Sequence, residues 1–205
     1  NKYRFDDFGT SAVTLDLQEG GTYTFDQSDS SNAGHPLRFS ETSNGTHGGG
    51  SEYTTGVTTN GTPGSSGAYT RITVAASAPQ LYYYCSSHSA MGGQANTNST
   101  FGSSNFSGSI QSIASVGNTQ GFSIVSYTGN GSAGATIGHG LGVVPSMIIQ
   151  KIRSSTGNWL VYHHKNTSAP ETDFLRFNTD NATADEITIF NDTAPTSSVF
   201  SVGTE

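Results

Sequence analysis

Cys85 lies in the stretch of the sequence richest in side chains that bind soft metals. The run is Tyr82-Tyr83-Tyr84-Cys85-Ser86-Ser87-His88-Ser89-Ala90-Met91, and His35-Pro36 occurs far earlier in the chain. One thiolate and two imidazoles in a trigonal set, with a distant axial thioether, form the donor set of a mononuclear blue-copper centre. We therefore predict a copper site in which Cys85 supplies the thiolate and His35 and His88 supply the imidazoles. Met91 would be the axial ligand.

Each of these four residues also has an ordinary structural interpretation. Cys85 could be a small buried apolar residue at the end of a tyrosine-rich strand, and Met91 could fill a gap in a core. His88 could be a hydrogen-bond partner in a loop, and His35 a turn residue before Pro36. Copper binding requires the thiolate and both imidazoles to converge within metal-bond distance, which sequence order does not establish. Both interpretations stay open at this point.

The elements that must position these residues are predicted to be short β-strands. Apolar and polar side chains alternate with period two in many runs, and no stretch of eleven or more residues with apolar side chains at helical spacing escapes interruption by Gly or Pro. We expect the first two strands to be neighbours, and we expect the polar stretch 41–67 to be a functional or mobile loop. The predicted strands cover residues 12–17, 22–25, 37–39, 69–75, 81–85, 122–127, 147–152, 159–163, 174–177, 187–190 and 199–202.

The strand pattern divides into two sets, which predicts an all-β chain with two antiparallel β-sandwich domains. The first domain is expected over residues 1–96 and the second over residues 121–205. Between them, residues 97–120 are rich in Gly, Ser and Asn with scattered apolar residues, which is typical of a linker. The segment 92–96, directly after Met91, is a poor strand candidate because it holds two glycines and two amide side chains.

The N-terminal part resembles the cupredoxin family on the order of His35, Cys85, His88 and Met91. The resemblance implies a Greek-key sandwich in which the Cys-His-Met loop connects two strands and the first His lies on a neighbouring strand. The spacing from His88 to Met91 is short for that family.

The C-terminal part resembles a module of structural proteins from marine tailed bacteriophages. The segments that carry this resemblance are 126–131, 137–145, 158–163 and 191–200. Such modules belong to fibres, spikes and surface decoration, so the resemblance implies a place on a particle. It implies no catalytic motif.

Composition narrows the possible partners. The net charge of −7, with only eight Lys and Arg, provides few cations for contact with nucleic acid, and no apolar run is long enough to cross a bilayer. The sequence predicts no catalytic residues, and no enzyme activity is expected. Low charge and hydroxyl-rich loops suit a surface that makes wet contacts with neighbouring proteins.

The first hypothesis is a structural component of a virus particle or extracellular assembly, exposed on its surface. Its partners would be copies of itself and other assembly proteins, with contact to host surface glycans as a further option. The second hypothesis is a copper protein for electron transfer or storage. The third is a carbohydrate-binding module in which Trp159, Tyr162 and Phe174 stack on sugars, although alternation favours a core position for these aromatic residues.

Overall fold

A computed structural model describes residues 1–6 and 8–204 and contains sixteen β-strands and one short α-helix among them. The prediction of an all-β chain built from antiparallel sheets is confirmed. The chain divides into two compact units, 1–104 and 105–205. The strands are β1 (Leu15–Asp16), β2 (Thr22–Asp26), β3 (Leu37–Ser40), β4 (Val57–Asn60), β5 (Tyr69–Thr73), β6 (Leu81–Cys85), β7 (Gly93–Asn96), β8 (Ser103–Asn105), β9 (Ser112–Gly117), β10 (Phe122–Tyr127), β11 (Ala135–Gly138), β12 (Met147–Gln150), β13 (Leu160–His163), β14 (Asp173–Arg176), β15 (Ala184–Asp185) and β16 (Val199–Val202), and the helix is α1 (Ile187–Phe190).

Unit 1 contains two sheets that pack through aromatic side chains. One sheet has the strand order β1-β7-β6-β3 and the other has the order β2-β5-β4. Their pairings are antiparallel except that β1 runs parallel to β7. Phe25 on β2 contacts Phe39 on β3 edge to face, with ring centroids 5.6 Å apart, so the two sheets face each other across a shared core.

Unit 2 contains antiparallel sheets joined by two apolar clusters. β9 pairs with β10, β11 pairs with β16, and β12 to β15 form a four-stranded sheet in chain order. One cluster centres on Ile137 and Phe200, and the other combines Tyr162 and Phe174 with the helix α1. Ile148 on β12 packs against both clusters, so a single strand links them.

The strand predicted over residues 187–190 is wrong, because these residues form α1. Ile189 and Phe190 are consecutive, and both are buried in the cluster with Tyr162 and Phe174. Adjacent residues of a strand point to opposite faces, whereas a helical turn allows both to reach the same cluster. Asn191 ends the helix in the left-handed conformation, with φ of 54°.

Several other expectations differ from the structure. Strands β8 and β9 lie within residues 97–120, which were expected to be a linker, and the stretch 41–67 contains β4 and a 3₁₀ helix at Gly45–Gly48. β1 and β2 are not neighbours, since they belong to different sheets. In β9 the buried residues are Ser112 and Ala114, whose small side chains gave no apolar signal in the sequence.

Residues 92–96 include the strand β7 because two glycines allow the backbones to approach closely. A Cβ atom on Gly92 would overlap the carbonyl oxygen of Tyr83, and one on Gly93 would lie 2.7 Å from the carbonyl oxygen of Ala12. β7 pairs with both β6 and β1 and so joins β1 to the rest of the sheet.

Gly92→Ala should lower the free energy of unfolding by about 2 kcal/mol, because the added methyl group must displace the β6 backbone. Gly9→Ala is the matched control, since a Cβ there meets nothing within 4 Å, and it should change stability by less than about 0.5 kcal/mol. Urea unfolding of both variants measures the difference. Equal midpoints would show that β6 and β7 are not in close contact at Gly92.

Candidate metal centre

Pairing of β3 with β6 brings the predicted donor residues to the same end of one sheet. The two strands are antiparallel, and Leu37 lies opposite Cys85. His35 precedes β3 by two residues, Cys85 is the last residue of β6, and His88 lies in the loop that follows. The start of β3 and the end of β6 are therefore adjacent.

Three of the four predicted donors form a compact cluster. The Cys85 sulfur lies 3.9 Å from Nδ1 of His35 and 3.8 Å from Nδ1 of His88. One donor atom from each of these residues lies within 4.8 Å of the other two. Among residues 1–6 and 8–204, no other group of three or more Cys, His, Asp or Glu residues comes together in this way.

These separations are close to those expected around a single metal ion. Bonds of about 2.3 Å to sulfur and about 2.0 Å to nitrogen, at about 120° to each other, place the two donor atoms about 3.7 Å apart. The two sulfur–nitrogen distances exceed this value by only a few tenths of an ångström. The sulfur and each imidazole nitrogen are therefore spaced like two ligands of one ion.

Burial of the cluster is uneven. The Cys85 side chain is fully buried, His35 is half-buried and His88 is exposed. The imidazole rings of the two histidines lie 4.6 Å apart and are tilted by 48°. An ion at this site would have its sulfur ligand shielded from water and one imidazole at the protein surface.

Gln27 holds the backbone on both sides of Pro36. Its side-chain Nε2 donates to the carbonyl oxygen of His35 at 2.9 Å, and its Oε1 accepts from the amide of Leu37 at 3.1 Å. The hydroxyl of Thr70 donates to the carbonyl of Leu37 at 2.8 Å and lies 3.3 Å from the same Oε1. This buried network fixes the segment that carries the first histidine.

Tyr3 contributes a second hydrogen bond to the same carbonyl. Its hydroxyl donates to the oxygen of His35 at 2.8 Å. Burial raises the pKa of Tyr3, and the neighbouring Cys85 raises that pKa further. The phenol therefore keeps its proton at neutral pH and remains a donor.

The loop after β6 is held by a neighbouring segment. The amide of Ala90 donates to the side-chain oxygen of Asn44 at 2.7 Å, and Nε2 of His47 lies 3.0 Å from the carbonyl oxygen of Cys85. Gly45 packs directly on the ring of Tyr84, where a Cβ would overlap the ring. Residues 44–47 thus pack against β6 and the loop that follows it, next to the donor cluster.

Met91 is buried at the end of the donor loop, and its carbonyl accepts the amide of Tyr3 at 2.9 Å. Axial coordination by its sulfur stays a prediction.

The sequence analysis missed Gln27, Thr70, Tyr3 and His47. Gln27 gave a usable signal, because it continues the inward alternation of Tyr23 and Phe25 as a polar residue at a buried position.

The aromatic residues considered for sugar stacking in unit 2 are placed differently from one another. Tyr162 and Phe174 belong to the buried cluster around α1. Trp159 is 46% exposed. Of the three, only Trp159 could offer its ring to a sugar.

Residues 83–205 match the family described as Domain of unknown function (DUF7483), and the match covers more than half of the chain. The chain belongs to this family. The region matched to DUF7483 includes Cys85, His88 and Met91 and begins after His35. No curated protein and no solved structure matches the chain. Among the described residues, no helix is long and apolar enough to span a membrane.

Replacing Gln27 by Leu should lower the free energy of unfolding by about 2 kcal/mol, because the buried amide of Leu37 loses its acceptor. Gln94→Leu is the matched control, since Gln94 is exposed and its side chain bonds only the side chains of Gln80 and Asn96, and it should stay within about 0.5 kcal/mol of wild type. Chemical denaturation of both variants provides the measurement. A Gln27→Leu protein as stable as the Gln94→Leu protein would contradict the role given to this network.

Proposed function

We propose that unit 1 binds one copper ion through the thiolate of Cys85 and the imidazoles of His35 and His88, with the thioether of Met91 as a weak axial ligand. The observation that carries the proposal is the separation of 3.8–3.9 Å between the Cys85 sulfur and both Nδ1 atoms. The resemblance of residues 1–96 to cupredoxins supports the choice of copper. A cupredoxin-like role would be electron transfer or copper storage.

Binding requires the thiol of Cys85 to lose its proton and both imidazoles to be neutral at their donor nitrogens. Copper affinity therefore falls as the pH is lowered, since protons compete for the same atoms. Complete burial of Cys85 keeps water from the sulfur, whereas the exposed ring of His88 gives an electron partner or a copper donor access to the site.

Addition of Cu(II) to the metal-free protein should produce an intense visible absorption band from thiolate-to-copper charge transfer. Cys85→Ser should abolish this band because it removes the sulfur donor. His88→Ala should weaken binding and shift the band, because one imidazole is lost. Copper at one hundred times its dissociation constant should raise the free energy of unfolding by about 2.7 kcal/mol.

His164→Ala is the control for surface histidines, since His164 is exposed and lies in unit 2. This variant should bind copper with the same band and affinity as wild type. A wild-type protein that binds Zn(II) but gives no charge-transfer band with Cu(II) would contradict a copper function. A band that persists in Cys85→Ser would contradict the donor assignment.

We propose as a second candidate that the chain is a component of a virus particle or other extracellular assembly, exposed on its surface, and contacts copies of itself through unit 2. The observation that favours this candidate is an apolar face on the sheet β12–β15, where exposed apolar side chains lie around the buried Val161. The inner face of this sheet packs on α1 through Ile148, Tyr162 and Phe174. Alternation places Met147, Ile149, Trp159 and Phe177 on the opposite face.

Trp159 and Phe177 lie side by side on this apolar face. The amide of Phe177 donates to the carbonyl of Trp159 at 3.1 Å, which continues the pairing of β13 with β14. The exposed fractions of these two side chains are 46% and 59%, and those of Met147 and Ile149 are both 46%. A cluster of large apolar side chains exposed to solvent on a protein surface is typical of an interaction site. The resemblance of residues 121–205 to phage structural modules agrees with this use.

The double variant Trp159→Ser/Phe177→Ser should reduce self-association, because it removes the two aromatic side chains of the apolar face. Phe122→Ser/Ile124→Ser is the matched control, since these residues are also exposed and apolar but lie on β10. Sedimentation velocity over a range of protein concentrations measures the oligomeric state. A wild-type protein that stays monomeric throughout, or equal effects of the two double variants, would contradict assembly through this face.

A further inference from the structure

Tyr3 connects the two separate segments that carry the candidate metal donors. Its hydroxyl donates to the carbonyl oxygen of His35 at 2.8 Å. Its backbone amide donates to the carbonyl oxygen of Met91 at 2.9 Å. One residue near the N-terminus thus bonds the segment before β3 and the end of the loop after β6.

Tyr3 is itself held firmly. Its side chain is buried, and its ring contacts the ring of Tyr83 with centroids 6.3 Å apart. The amide of Ala12 donates to the carbonyl of Tyr3 at 2.8 Å. The position of the hydroxyl is therefore set by packing and by backbone bonds, so it can fix what it contacts.

The His35 segment depends on such contacts because His35 lies outside the sheet. Its amide donates to Asn32 in the turn before it, and Pro36, which follows, has no amide to donate. The carbonyl of His35 accepts hydrogen bonds from Gln27 and Tyr3. Loss of the Tyr3 hydroxyl would leave that carbonyl with the single bond from Gln27.

We infer that Tyr3 is a positioning residue for the metal centre: its hydroxyl holds His35 at the distance from Cys85 that an ion requires, before any ion binds. This inference rests on the proposed copper function. Outer-shell partners that orient metal ligands change metal affinity by about 10- to 100-fold when they are removed. Tyr3 acts through the backbone of His35, and its hydroxyl also interacts with the side chain of Cys85.

Tyr3→Phe and Tyr83→Phe form a matched pair for the test. Both tyrosines are buried in unit 1, and the hydroxyl of Tyr83 donates to the carbonyl oxygen of Val13 at 2.7 Å. Each substitution removes one hydroxyl and one hydrogen bond to a backbone carbonyl while keeping the ring, and Tyr3→Phe also removes the interaction of that hydroxyl with Cys85. Only the acceptor of Tyr3 belongs to a donor residue.

Tyr3→Phe should raise the copper dissociation constant about ten-fold and shift the charge-transfer band, whereas Tyr83→Phe should change the constant by less than about two-fold. Hydrogen exchange of the metal-free proteins gives a readout that needs no copper. The amides of His35 and Ser86, which donate to Asn32 and Pro36, should exchange faster in Tyr3→Phe than in Tyr83→Phe.

The outcomes separate the two proposals. Equal exchange at His35 and Ser86 in the two variants overturns the positioning role, whether or not copper binds. Faster exchange in Tyr3→Phe with copper affinity unchanged from wild type also overturns it, because the donor geometry then does not depend on the hydroxyl. If wild type fails to bind copper, the proposed function fails, and the exchange comparison still decides whether Tyr3 holds the His35 segment.

Discussion

Leu37 lies opposite Cys85 in the pairing of β3 with β6, and the candidate metal centre depends on that register. The residues before β3 and after β6 leave the sheet at the same end, which is why His35 and His88 meet at the sulfur. A shift of one residue would turn Cys85 to the other face of the sheet and separate the donors. Phe39 and Tyr83, opposite each other in the same register, pack with Phe25 and Phe5 and make such a shift costly.

Polar side chains fix the segment that carries His35, which lies outside the sheet. Gln27 and Thr70 come from the facing sheet and satisfy the backbone around Pro36, while Tyr3 reaches the same carbonyl from the N-terminal segment. Buried donors and acceptors without partners are costly, so this network constrains the His35 segment. The candidate metal ligands are thus supported by other residues whose own positions are fixed by packing and hydrogen bonds.

The sequence predicted those parts of the fold that depend on period-two alternation. The predicted bounds of β6, β10 and β16 agree with the structure, and the three donors His35, Cys85 and His88 are close together. The failures have a physical pattern. β7 has glycines and amide side chains where close backbone approach replaces large side chains, and β9 buries only the small residues Ser112 and Ala114. The helix α1 has a β-branched run whose helical form is set by tertiary packing. The supporting residues Tyr3 and His47 act across long sequence separations, which local patterns do not encode.

The parallel pairing of β1 with β7 joins Leu15 to Ala95 and Asp16 to Asn96, near the two ends of unit 1. Contacts between such distant parts of a chain slow folding, because a long loop must close before they form. During synthesis, His35 is therefore translated before Cys85, and Cys85 is translated before the last strand of the sheet, β7. The proposed donor set is complete in the chain at Met91, whereas the sheet that holds it is complete only at Asn96, so metal binding at this site would follow synthesis of the whole sheet.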